Sequence, residues 1–185
     1  MARRIFGFAS KVSAWLPHRW LIAVVLAAVA GIAAGRTFIG SVSIVSGSSM
    51  VPTYQPGSMV YTAPISSPIE RGDVVTIDDG NHDYAVKRVV GMPGETVCLW
   101  RGYAFINRKI LLEPYVPKRV YTFPTQRSSV FVLGENQYFV LGDNRPSSLD
   151  SRVYGPIERD QIKRRIGLPE GASRAHFGSL TLPRY

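Results

Sequence analysis

Cysteine is almost missing from this chain: among 185 residues only Cys98 carries a thiol. A disulfide within the chain needs two, and a cysteine-built zinc or iron–sulfur site needs several, so both are excluded. Histidine is nearly as scarce, with 3 copies. His18 precedes an apolar run, His82 sits in a polar turn and His176 lies near the end of the chain. A Ser-His-Asp triad would have to use His82, and nothing in the sequence brings it to a serine. No His, Asp and Glu cluster has metal-ligand spacing, so no metal and no cofactor is expected. Acid is also in short supply: 13 Asp and Glu face 22 Lys and Arg, a net charge of +9. Such an excess fits an anionic partner, either nucleic acid or a membrane surface. Missing, too, are internal repeats, low-complexity runs and, after residue 40, any long amphipathic helical period, which argues against a helical bundle. With 45% hydrophobic and 19% charged residues the chain does not have the composition of a disordered one.

What is present begins with an apolar run. Residues 1–19 hold Arg3, Arg4, Lys11 and Arg19 and no acid, and Trp20 to Gly35 holds no charge of either sign. A helix from Leu21 to Ile39 would span roughly 28 Å at ~1.5 Å per residue, close to the ~30 Å hydrocarbon core of a bilayer. Trp20 and Phe38 suit the interfaces, and Arg36 can snorkel. The basic excess before the run predicts a cytoplasmic segment 1–19, a transmembrane anchor 20–39 and an extracytoplasmic domain 40–185, single-pass in the plasma (inner) membrane. A cleaved signal peptide, with Ala28-Val29-Ala30 as its cut site, is the alternative, for which a lead of 19 residues is long. A buried core helix would not be apolar on every face. No segment reads as a base-reading helix or an RNA-binding sheet, so the lipid bilayer and not nucleic acid is the expected partner.

Beyond residue 40 the pattern is β. Ser41–Val45, Met59–Tyr61, Val74–Ile77, Tyr84–Val90 and Gln137–Leu141 read as strands. Thr96–Trp100 and Tyr103–Ile106 flank Arg101-Gly102, a two-residue hairpin signal. Asp160–Ile166 fits a last strand or a short helix equally. Residues 107–136, rich in Pro, Arg and aromatics, read as an extended excursion, and Gly167–Tyr185 is weakly patterned.

Three segments carry side chains suited to chemistry. Gly47-Ser48-Ser49-Met50-Val51-Pro52-Thr53 runs a strand into a Gly/Ser bend that presents a hydroxyl, although most such bends are plain loops. Tyr84–Glu95 contains Lys87 on one strand face with Ala85 and Val89, while Tyr84, Val86, Arg88 and Val90 take the other. Lys87 is either a snorkelling surface lysine or a lysine buried enough to lose its proton and act as a base. Gly142–Arg152 (GDNRPSSLDSR) follows an apolar strand and is dense in donors and acceptors. It is either a solvated loop or one locked by pairing among Asp143, Arg145, Asp150 and Arg152.

Taken together, the three segments resemble the bacterial type I signal peptidases, membrane-anchored serine proteases with a Ser–Lys dyad. The family pattern G-x-S-M-x-P-T is matched by Gly47–Thr53, K-R-V-x-G-x-P-G-[DE] by Lys87–Glu95, and G-D-N-R-x-x-S-x-D-S-R by Gly142–Arg152. Glu113-Pro114-Tyr115 and Tyr138–Leu141 are similar as well, so the resemblance spans roughly residues 20–166. It implies an all-β fold of coiled antiparallel sheets behind one N-terminal transmembrane helix, and cleavage of signal peptides from exported preproteins after small residues. Residue by residue it implies Ser49 as nucleophile, Lys87 as general base and Ser148 as the hydroxyl that orients the lysine. Asp143, Arg145, Asp150 and Arg152 become supporting residues, and Gly47 and the Ser49 N–H belong to the oxyanion hole. Val45, Ala85 and Val86 are the expected substrate-binding side chains. Arg88, directed away, is expected to do little. Two departures stand out. Gly47 occupies a position that holds serine in some members, and Gly57-Ser58-Met59 lacks the acid that usually follows that glycine. A related Ser–Lys peptidase with another substrate, such as a conjugation pilin precursor, is the main alternative. A self-cleaving repressor would need a DNA-binding domain where this chain has an apolar run. A non-enzymatic binding protein would not need Ser49, Lys87 and Ser148 together.

Overall fold

A computed structural model describes residues 16–38, 40–78, 84–125, 128–168, 171 and 175–182. The chain divides into two compact units, Met1–Ile39 and Gly40–Tyr185. In the first, helix α1 (Leu16–Phe38) contains 23 residues with no acid in its first turn. Side chains are described for 20–31 of it, and Trp20, Leu21, Ile22, Val24, Val25, Leu26 and Val29 are all exposed. Among the described residues no helix is long and apolar enough to cross a membrane. Most of the expected cytoplasmic segment, residues 1–15, and Ile39 lie outside the described residues.

The second unit is built on strands, as expected. They are β1 (Ser41–Ile44), β2 (Met59–Pro64), β3 (Val74–Asp78), β4 (Tyr84–Gly91), β5 (Thr96–Trp100), β6 (Tyr103–Ile106), β7 (Lys109–Leu112), β8 (Val130–Val132), β9 (Gln137–Leu141), β10 (Ile157–Glu158), β11 (Ile162–Ile166) and β12 (His176–Thr181). A seven-stranded sheet runs β1-β2-β11-β3-β4-β9-β10 and a five-stranded sheet runs β12-β7-β6-β5-β8. Neighbouring strands are antiparallel throughout. The β5–β6 turn sits at Arg101-Gly102, whose positive φ angles of 50° and 86° are what a two-residue hairpin of this hand requires. A Cβ at Gly102 would lie 2.8 Å from the Tyr121 ring, so glycine there also admits the aromatic that packs on the turn.

Asp160–Ile166 turns out to contain both alternatives: a 3-10 turn, Arg159–Gln161, capped by reciprocal Glu158 and Gln161 bonds, leads directly into β11. The excursion 107–136 holds two strands, β7 and β8, and the weakly patterned end supplies β12, which pairs with β7. Strands of three or four residues are too short to show a period, and β12 is an exposed edge with no buried face.

The apolar interior falls into clusters that follow the two faces of β4. Val89 joins Val75, Ile77, Val140 and Ile162, with Ala85 packed against them. Val86, on the other face, packs with Val45, Met50, Tyr54 and Val74. Val90 enters a third cluster with Leu99, Ile106, Phe131 and Phe139, joining β4 and β9 to the five-stranded sheet. β4 is thus covered on both sides from Lys87 to Gly91.

Candidate active site

The 47–53 turn is pinned from below. Met50 and Tyr54 are buried among Val45, Val60, Val74 and Ile166, and the Val51 and Tyr54 N–H groups donate to the Ser48 and Met50 carbonyls. This leaves Ser48 exposed and Ser49 half-buried at the surface of the bend. Lys87 reaches it from β4. Its Nζ lies 3.2 Å from Ser49 Oγ and 3.0 Å from the Val86 carbonyl oxygen.

Lys87 is only 4% exposed. Removing an ammonium from water disfavours its charged form, and burial accordingly holds the Lys87 amine below its ordinary value of 10.5. The Asp150 carboxylate acts in the opposite direction and is outweighed. Asp150 is already engaged: it accepts from Arg152 Nε and Nη2, both at 2.8 Å, and from the Gly142 N–H at 3.0 Å. Its charge is met by Arg152, and its pull on the Lys87 amine is the smaller of the two effects.

The 142–152 segment is locked rather than solvated. Asp143, Arg145, Asp150, Ser151 and Arg152 are all buried. Arg88 Nε and Nη2 donate to the two Asp143 oxygens at 2.8 and 2.6 Å, and Thr53 Oγ1 donates to Asp143 Oδ2 at 2.5 Å, tying the third segment to the first. Arg145 donates to the Gly142 carbonyl at 3.0 Å and, with both Nη atoms, to Glu113 at 3.0 and 2.6 Å; Thr122 Oγ1 accepts from it too. Asp150 caps the single helical turn α2 (Ser151–Tyr154). Asn144 bridges to the 47–53 turn: its N–H donates to the Ser49 carbonyl at 2.9 Å and its Nδ2 to the Ser48 carbonyl at 3.1 Å.

Ser148 departs from expectation. Its hydroxyl is buried and has no hydrogen-bond partner among the described residues, and Lys87 bonds to Ser49 and Val86 instead. Ser148 is pressed against Gly142, where a Cβ would come within 2.2 Å of its Oγ and 2.6 Å of the Ser49 carbonyl. Glycine is thus required at 142 by close approach. The three expected substrate-binding residues separate. Ala85 lines a cavity of about 520 Å³ with Gly47, Ser49, Lys87, Leu149 and Tyr154. Val45 and Val86 line another of about 460 Å³ with Ile44, Val60, Tyr84 and Ile166. They fall on opposite faces of β4, as its alternation dictates. Gly47 is exposed at the cleft, and a Cβ there would meet nothing within 4 Å. Among the described residues no group of three or more His, Cys, Asp or Glu side chains is placed to hold a metal.

Arg88 does more than its direction along the strand suggests. It does point away from Ser49, yet it is fully buried and anchors Asp143, the Gly72 carbonyl at 2.9 Å and the Tyr115 ring, 3.9 Å from its guanidinium carbon. A charged residue beside Lys87 in an apolar strand has to be paired if it is buried, and that was the available signal. Asn144, Gly142, Thr53 and Glu113 were also passed over as site residues, although all lie in the segments that carry the family resemblance.

Residues 18–169 match the family described as signal peptidase, peptidase S26. The chain belongs to that family. As a signal peptidase family member it is a serine-type hydrolase. Its similar relatives include signal peptidase I of Bacillus caldolyticus, 32% identical over 156 residues that cover 77% of this chain and 83% of the relative. Signal peptidase I S of Bacillus subtilis strain 168 is 35% identical over 143 residues, 72% of this chain and 77% of that one. The probable signal peptidase I-2 of Synechocystis is 31% identical over 137 residues, and the match spans 69% of this chain and 61% of the relative. Among solved structures, a signal peptidase I from Enterococcus faecalis V583 is 32% identical, with a TM-score of 0.43 over 52% of this chain and 94% of that one.

Proposed function

We propose that this chain is a membrane-anchored endopeptidase that removes N-terminal signal peptides from exported preproteins, with Ser49 as nucleophile and Lys87 as general base. The observation that carries the reading is Lys87 Nζ standing 3.2 Å from Ser49 Oγ in a site where the lysine is 4% exposed. A serine hydroxyl is a weak nucleophile until a base takes its proton. Burial favours the neutral form of the Lys87 amine, which accepts that proton as Oγ attacks the scissile carbonyl. The carbonyl electrons move to oxygen, where the Ser49 N–H is the nearest candidate donor in the turn. Lys87, now an ammonium, gives its proton to the leaving amine, and the C–N bond breaks to leave an acyl-enzyme. The same amine then deprotonates the water that releases it. Asp143, Arg145, Asp150 and Arg152 hold the surrounding loop, and Ser148 packs within it against Gly142. Val45, Ala85 and Val86 line the apolar cavities on either side of β4. Their walls select small side chains before the cut by rejecting bulk sterically and charge through desolvation. The uncharged run in α1 supports anchoring, which keeps the enzyme beside membrane-held substrates and raises their effective concentration.

Cleavage of a purified preprotein tests the reading. Ser49→Ala and Lys87→Ala should abolish turnover, Ser48→Ala should retain it, and kcat/KM should show an acidic limb from Lys87 deprotonation in the free enzyme. Lys87→Arg should be as inactive as Lys87→Ala because a guanidinium stays charged. Substantial activity in Lys87→Arg overturns the general-base role.

A further inference from the structure

The geometry points to Asn144 as a positioning residue that aims the Ser49 N–H at the developing oxyanion. This inference rests on the Ser49–Lys87 reading and deepens it. A peptide unit is planar, and in the trans form its C=O and N–H point in opposite directions. Whatever holds the Ser48 carbonyl therefore sets the direction of the Ser49 N–H. Two donors hold that carbonyl: the Val51 N–H at 3.2 Å from within the turn, and Asn144 Nδ2 at 3.1 Å from across the site. The Ser48 oxygen can only accept, so the amide face toward it has to be the NH₂ of Asn144. On the other side of the nucleophile, the Asn144 N–H donates to the Ser49 carbonyl at 2.9 Å. One residue thus grips the carbonyls on both sides of Ser49. Among the described residues the Ser49 N–H itself donates to nothing, which leaves it free for a ligand.

The clamp matters more in this chain than it would beside a side-chain donor. Position 47 is glycine, and the space around it holds no heavy atom within 4 Å of where a Cβ would be. No hydroxyl at 47 shares the oxyanion, so its stabilisation depends on a backbone N–H whose aim comes from the Ser48–Ser49 peptide plane. In the attack step the Oγ–C bond forms, the carbonyl π pair passes to oxygen, and the serine proton moves to Lys87. Asn144 takes no part in these transfers. It fixes the donor that the new O⁻ meets, and a donor that need not reorient is most effective at that moment.

The test is steady-state cleavage of a preprotein by full-length Asn144→Ala and Asn144→Asp, with binding of a peptide aldehyde measured alongside. The aldehyde forms a hemiacetal with Ser49 and presents an oxygen where the oxyanion develops. Asn144→Ala keeps the backbone bond to Ser49 and loses only the side-chain grip. It should lower kcat by about 10- to 100-fold, less than the roughly 10²–10³-fold typical of deleting an oxyanion donor outright. KM should stay within about twofold, aldehyde affinity should fall by the same factor as kcat, and the acidic limb should not move. Asn144→Asp has the same shape but sets a carboxylate against the Ser48 carbonyl, and should be no more active than the alanine variant. Because it is isosteric it also serves if Asn144→Ala fails to fold. Unchanged kcat, a loss seen only in KM, or a displaced acidic limb would each overturn the assignment. Activity persisting in Ser49→Ala would instead overturn the nucleophile reading, so the two failures are distinguishable.

Discussion

At the scale of single residues, the cost of the site is concentrated in Lys87. Its amine is held below 10.5 by burial, so between its folded value and about 10.5 the unfolded chain binds more protons than the folded one. Stability contributed by this residue therefore rises with pH across that window, and below it the fold bears the full cost of a buried ammonium. Lys87→Met fills similar space without charge. It should be more stable than the wild type to urea at neutral and lower pH, with the gap shrinking toward pH 10.5, while activity is lost. Equal stability at every pH would mean that Lys87 is solvated in the folded state. The lysine was legible as a candidate because it stands between Ala85 and Val89 on one face of a strand. What alternation could not reveal was its depth, which depends on side chains contributed by segments far away in sequence.

At the scale of elements, β4 carries two cations to opposite sides with opposite treatments. Lys87 is left without a carboxylate of its own, whereas Arg88 is given one. The Arg88–Asp143 pair has no exposure on either side chain, and removing one partner of such a pair typically costs about 3–5 kcal/mol. Asp143→Leu alone should lose stability on that scale in urea titrations. Combined with Arg88→Met it should recover much of the loss, since both charges have then gone. A double variant as unstable as Asp143→Leu would show that the contact is not chiefly electrostatic. The strands flanking this pair could be read from period and turn signals, as β4, β9 and the β5–β6 hairpin illustrate. β7, β8 and β12 could not: β7 and β8 are too short to show a period, and the edge strand β12 buries no face that would impose one. The excursion that looked merely irregular is explained by its contacts. Tyr115 stacks under Arg88 and donates to Glu113 at 2.8 Å, and Glu113 in turn grips Arg145. Burial and the neighbouring Glu113 push the Tyr115 hydroxyl well above its usual range, so it stays a donor. The contacts of Tyr115 with Arg88 and of Glu113 with Arg145 have no local signature, since they join residues 27 and 32 apart.

At the scale of the whole molecule, the two units differ in composition as sharply as in secondary structure. The proposed anchor predicts that full-length protein remains with membranes through an alkaline wash and is released by detergent. With protease added to intact spheroplasts, residues 40–185 should be digested while a tag at the N-terminus survives. Protection of the C-terminal unit would reverse the orientation inferred from Arg3, Arg4, Lys11 and Arg19. One further property follows from the bonds between Asn144 and the Ser48–Ser49 peptide, which join positions 96 residues apart. Ribosomes work from the N-terminus at ~5–20 residues per second, so the clamp is made roughly 5–20 seconds after the turn it grips. Ser49 and Lys87 are both synthesised well before the segment that arranges them. On the reading proposed here, the growing chain carries Ser49 and Lys87 unclamped until residue 144 has been made.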